Sequence, residues 1–140
     1  MHVEEYTDKN YISFGIIGLG AMASVFCDAV SKSPFAKVEA VASRSLEKAQ
    51  AFVLKKNVAK YYGSYNDMIE DEGLKLDVIY IATPIFCHYE LIKLCIGAHK
   101  NVLCEKPIVT NAREFEELQR LAEEAHCFLM EGMWMKCLPT

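Results

Sequence analysis

The chain has 140 residues, 52% hydrophobic, 24% charged and 11% aromatic. That length and mixture suit one folded domain with one core and exclude a disordered, collagen-like or low-complexity chain. Fifteen basic against nineteen acidic side chains give a net charge of −4, which offers no electrostatic footprint for nucleic acid or an anionic membrane surface.

Segment 1–12 is polar and acidic and reads as an N-terminal arm without the regions of a secretory signal. No apolar run approaches the ~20 residues that span a bilayer. Six cysteines, Cys27, Cys87, Cys95, Cys104, Cys127 and Cys137, lie in apolar stretches with no C-x-x-C pair and no zinc-site spacing. They read as buried thiols of a reducing, cytoplasmic compartment, and no metal site is expected.

Six short β-rich runs follow, at Phe14–Gly18, Val38–Ala42, Val58–Tyr62, Val78–Ala82, Asn101–Glu105 and Cys127–Glu131. Near-continuous apolar runs such as Val-Ile-Tyr-Ile-Ala suit strands covered on both faces, with the first, fourth and fifth most central. Met22, Val25, Phe26, Ala29 and Val30 form an apolar helical stripe after the first strand. Leu91, Leu94, Cys95 and Ala98 repeat that spacing, as do Phe115, Leu118, Ala122 and Ala125. Ser45, Ser64 and Asn111 read as helix caps.

The alternation predicts an α/β fold, a doubly wound parallel sheet of about six strands with helices on both faces. Every strand then ends on one edge, where ligands bind in open α/β sheets. Gly18-Leu-Gly20, Ser43-Arg44, Thr83-Pro84, Glu105-Lys106-Pro107 and Glu131-Gly132 gather there.

Gly18, Leu19, Gly20, Ala21, Met22 and Ala23 spell G-x-G-x-x-A between a strand and a helix, the dinucleotide fingerprint. One glycine turns the chain, the second lets backbone approach a pyrophosphate, and the third small residue packs helix on strand. Where an NAD site carries a ribose-binding carboxylate, about twenty residues on, this chain has Ser43 and Arg44, while Glu39 lies too early in the strand. Arg44 can fork onto a 2′-phosphate, with Ser43 donating a hydroxyl and Lys48 adding charge, so NADP is preferred and NAD remains possible.

Glu105, Lys106 and Pro107 put a carboxylate, an ammonium and a fixed turn at the mouth of a central strand. A lysine there can donate to an oxygen that gains or loses a proton, although the same three residues also describe a plain strand-end turn. Thr83 and Pro84 can place a hydroxyl and a stiff wall beside the cofactor, with His88 near the start of the next helix. Met130, Met133, Trp134 and Met135 read as core or interface packing.

Together, G-L-G-A-M-A, V-A-S-R-S-L-E-K-A, Y-I-A-T-P, L-C-E-K-P and F-L-M-E-G-M-W-M-K-C-L-P resemble the nucleotide-binding half of the glucose–fructose oxidoreductase/inositol dehydrogenase/MocA family, in its dihydrodiol dehydrogenase-like members. The resemblance implies a Rossmann-like sheet in the order 3-2-1-4-5-6 over residues 13–131. It also implies NAD(P)-dependent hydride transfer at a hydroxyl or carbonyl carbon of a small polyol, sugar, cyclitol or diol. Lys106 takes the place of the family's catalytic lysine, Glu105 and Pro107 shape its pocket, and Thr83, Pro84 and His88 line the nicotinamide ribose. Ile85 stands where an asparagine often follows Thr-Pro, and Lys136 where arginine is expected.

Family members continue into a substrate domain that carries the usual subunit interface of a homo-oligomer, and residues 132–140 resemble the crossing into it. The chain is therefore expected to be the first part of a dehydrogenase, inactive alone. The alternative is an NADP-binding regulatory module without its own catalysis. An S-adenosylmethionine methyltransferase shares the architecture but usually lacks the G-x-G-x-x-A spelling and has no use for Lys106.

Overall fold

The computed structural model describes residues 10–139. Its elements are β1 (Ile12–Ile17), α1 (Ala21–Ser31), β2 (Ala36–Ala42), α2 (Leu46–Lys56), β3 (Lys60–Tyr62), α3 (Tyr65–Glu70), β4 (Val78–Ile81), α4 (His88–Gly97), β5 (Asn101–Glu105), α5 (Ala112–Glu124) and β6 (Leu129–Gly132). All neighbouring strands pair in parallel, in the order β3-β2-β1-β4-β5-β6. The expected sheet is thus the observed one. Most of the expected arm, residues 1–9, lies outside the described residues.

Alternation along the central strands sorts their side chains into two cores. Ile17, Ala42, Ile79, Ile81, Val102 and Cys104 pack under α3, α4 and α5, against Met68, Ile92 and Leu118. Ile16, Val41 and Tyr80 pack under α1 and α2, against Ala23, Cys27, Ala49 and Val53. Asp28 of α1 and Lys56 of α2 close the second layer with a 2.6 Å ion pair.

Four expectations shift. The buried face of α1 is Ala23, Cys27 and Val30, whereas Met22 and Val25 are exposed. Both sets fit a 3.6-residue period, and the small Ala23 wins because it lets the helix approach the strand closely. Strand β3 starts at Lys60 rather than Val58, because Asn57 turns into the left-handed region and the Val58 N–H closes α2 on the Val53 carbonyl. Strand β6 starts at Leu129 because the Cys127 N–H closes α5 on Ala122 in the same way. Of the six cysteines, Cys137 is exposed and Cys87 and Cys127 are only half-buried, so the uniform burial expected of them does not hold.

Candidate functional site

Strand order reverses between β1 and β4, opening a crevice at their carboxyl ends. Gly18 leaves β1 with φ +86°, and a Cβ there would meet Ala82 backbone atoms at 2.9 Å, so both conformation and close approach require glycine. A Cβ on Gly20 would meet nothing within 4 Å. That space belongs to the crevice rather than to the protein's own packing. Ala23, the third small residue, is fully buried against the sheet.

Helix α1 opens at Gly20 with no side-chain cap and no acidic residue in its first turn. By contrast, Ser45, Ser64 and Asn111 side chains cap α2, α3 and α5. The first turn of α1, its N–H groups without a side-chain cap, therefore borders a cleft of about 770 Å³. Gly18, Leu19, Gly20, Ala21, Met22, Ser43, Arg44, Lys48, Thr83 and Pro84 all line it.

Arg44 and Lys48 sit at the β2 end, and neither side chain enters an ion pair or hydrogen bond among the described residues. Ser43 Oγ accepts from the Ser45 N–H at 3.2 Å, which leaves its own hydroxyl proton to donate. Ser45 and Tyr65 also line the cleft. Tyr65 was legible as the residue following the capping Ser64 at the carboxyl end of the third strand, an end missing from the sequence inventory of that edge.

Sharing Met22, Ala82 and Thr83 with this cleft, a second of about 540 Å³ holds Glu105 and Lys106. Its outer wall is Met133, Trp134 and Met135, all exposed, so of the core or interface packing expected of these three the core alternative does not hold. Lys106 makes no ion pair among the described residues. Thr83 Oγ1, where the two clefts meet, is buried without a hydrogen-bond partner. Such an orphan is costly unless a bound group satisfies it.

His88 corrects an expectation. Its ring is 1% exposed and lines neither cleft, because Nδ1 lies 3.0 and 3.1 Å from the Pro107 and Ile108 carbonyls and Nε2 lies 2.8 Å from the Thr83 carbonyl. It ties the two loops together from beneath. Glu131 helps from the other side, accepting from the Ile108 N–H at 2.9 Å. Burial pushes the thiol of Cys104, next to Glu105, well up, so it is no nucleophile.

A family model described as "Oxidoreductase family, NAD-binding Rossmann fold" matches residues 12–133. The chain belongs to that family. Among curated oxidoreductases it is 37% identical over 129 residues to the trans-1,2-dihydrobenzene-1,2-diol dehydrogenase of Xenopus tropicalis, covering 91% of this chain and 38% of the relative. The enzyme of that name from Mus musculus is 38% identical over 131 residues, covering 92% and 39%. A 3-ketoreductase of Actinomadura kijaniata, solved with TDP-benzene and NADP, superposes with a TM-score of 0.81 at 31% identity, covering 87% of this chain and 38% of that one. The chain thus spans under two fifths of the length of these relatives.

The residues present fit a dinucleotide on structural grounds: the space beside Gly20, the uncapped α1 and the orphaned Thr83 hydroxyl.

Proposed function

We propose that this chain binds NADP along its carboxyl edge and forms the nucleotide-binding part of a dehydrogenase acting at a hydroxyl-bearing carbon of a diol, cyclitol or sugar. One observation carries the reading: adjoining clefts run from unpaired Arg44 and Lys48, past the bare start of α1 and the orphaned Thr83 hydroxyl, to unpaired Lys106. The names of the relatives, diol dehydrogenases and an NADP-complexed ketoreductase, support it.

In this reading the α1 amides hold the diphosphate, and Arg44, Lys48 and the Ser43 hydroxyl hold the 2′-phosphate. Tyr65 walls the same end, and Thr83 bonds the part of the cofactor that passes it. When bound, the nicotinamide supplies the hydride acceptor. Lys106 holds the substrate oxygen; its amine takes the hydroxyl proton as the carbinol is oxidised, and its ammonium returns that proton in the reverse direction. Met133, Trp134 and Met135 give that end an apolar wall.

Trp134 is the only tryptophan and lines the Lys106 cleft, so its emission reports binding there. Titration should show NADPH quenching it at lower concentration than NADH. Arg44→Ser should cut that preference about 10- to 150-fold, the worth of one charge-assisted hydrogen bond of about 1.5–3 kcal/mol. Tighter binding of NADH, or no response to either nucleotide, refutes the reading.

A further inference from the structure

Strands β4 and β5 pair with Tyr80 opposite Leu103 and Ile81 opposite Cys104. Alternation sends Tyr80 and Leu103 to the α1 side of the sheet, and Glu105, two residues on, follows Leu103. Tyr80 and Glu105 are therefore diagonal neighbours on one face, within reach of a long side chain. The Tyr80 hydroxyl spans that diagonal and donates to Glu105 Oε1 at 2.6 Å.

The phenol has no freedom to leave. Its ring is 1% exposed and stacks on Phe26 of α1, with centroids 3.9 Å apart and planes at 24°. Burial, then the hydrogen bond to Glu105, pushes its pKa far up, so it remains a donor. Glu105 and Lys106 line one cleft, yet Lys106 pairs with nothing among the described residues.

We propose that Tyr80 is a positioning residue for Lys106: by occupying the Glu105 carboxylate from inside the sheet, it leaves the neighbouring ammonium for a substrate oxygen. An ammonium engaged by its own neighbour holds its proton more tightly and is already taken as a donor. The inference rests on reading Lys106 as the group that meets substrate, and its test uses no cofactor.

The measurement is the rate at which acetic anhydride acetylates each lysine of the full 140-residue chain, followed by peptide mass spectrometry. Tyr80→Phe keeps the ring and its stacking while removing the donor. It should slow acetylation of Lys106 by about three- to tenfold, as expected for an amine gaining an adjacent opposite charge, with other lysines unchanged. Glu105→Gln added to it should restore the original rate, and Glu105→Gln alone should change little. The proposal is overturned if Tyr80→Phe leaves Lys106 unaffected, if Glu105→Gln fails to relieve the slowing, or if Glu105→Gln alone accelerates Lys106 as much as it does in the double variant. Trp134 emission that ignores NADPH, alongside the expected labelling pattern, would sink the cofactor reading and leave the Tyr80 role standing.

Discussion

The two edges of the sheet are built from the same six strands and differ in the polar groups they leave unpaired. At the amino edge the polar groups answer one another. Tyr11 donates to Glu39 at 2.7 Å, with Lys37 3.2 Å away on the same carboxylate. Buried Ser13 gives its N–H and its hydroxyl to Asp77 at 2.7 and 2.8 Å. Asn101 donates to the Asp77 carbonyl and accepts from the Phe128 N–H, both at 2.9 Å. At the carboxyl edge the α1 amides, Arg44, Lys48, Lys106 and the Thr83 hydroxyl have no such partners. Nothing in an α/β sheet forces this asymmetry, and it supports the proposal that the ligand binds at the carboxyl edge.

Within the carboxyl edge, the two fingerprint glycines separate folding from binding. Gly18→Ala forces a side chain into a left-handed conformation against Ala82 backbone, which should cost about 2–5 kcal/mol. That is a large part of a typical domain's stability and would show as a collapse of the urea midpoint. Gly20→Ala meets no protein atom and should leave that midpoint within about 0.5 kcal/mol. It should nonetheless weaken NADPH about tenfold, since its Cβ enters the ligand's space. Equal destabilisation by both substitutions would mean that the open space at Gly20 belongs to folding after all.

A substitution at the amino edge should have the opposite profile. Asp77→Ala strands the N–H of fully buried Ser13, at about 1–3 kcal/mol, while its hydroxyl turns to the Lys75 carbonyl 2.9 Å away. Urea denaturation should register that loss while NADPH binding to the folded chain is unchanged. A matching loss of affinity would show that the edges communicate, which their separation along the strands argues against.

The sheet order and the caps at Ser45, Ser64 and Asn111 were legible because they rest on local chemistry: apolar runs, short polar side chains before helices, and glycine at a strand end. The first cleft was legible for the same reason, since parallel topology converts strand ends into one edge. The phase of α1 was not, because that helix is apolar on two sides and only the close approach at Ala23 decides between them. Nor was His88, whose burial depends on the nearby Thr83 carbonyl and on two carbonyls of the distant Pro107–Ile108 turn. The wall formed by Met133, Trp134 and Met135 depends on where the chain runs after β6, which no local pattern specifies. The Tyr80–Glu105 bond was hidden differently: alternation places both residues on one face once the β4–β5 register is known, and register is not in either strand's sequence.

The smallest effects contrast two helix starts. In α5, Asn111 Oδ1 accepts from the Glu114 N–H at 3.0 Å, and Glu114 Oε2 accepts from the Thr110 hydroxyl at 2.9 Å. Asn111→Ala should therefore cost about 1 kcal/mol. In α1 the corresponding groups are bare, so Gly20→Asp should stabilise the ligand-free chain by about 0.3–1 kcal/mol through a cap and a favourable charge at the positive end of the helix. The same carboxylate would repel a diphosphate and abolish the NADPH response of Trp134. Opposite signs for stability and binding at one residue are what a ligand-directed helix start requires; a substitution that destabilised the chain would instead mean that the α1 amides are already satisfied.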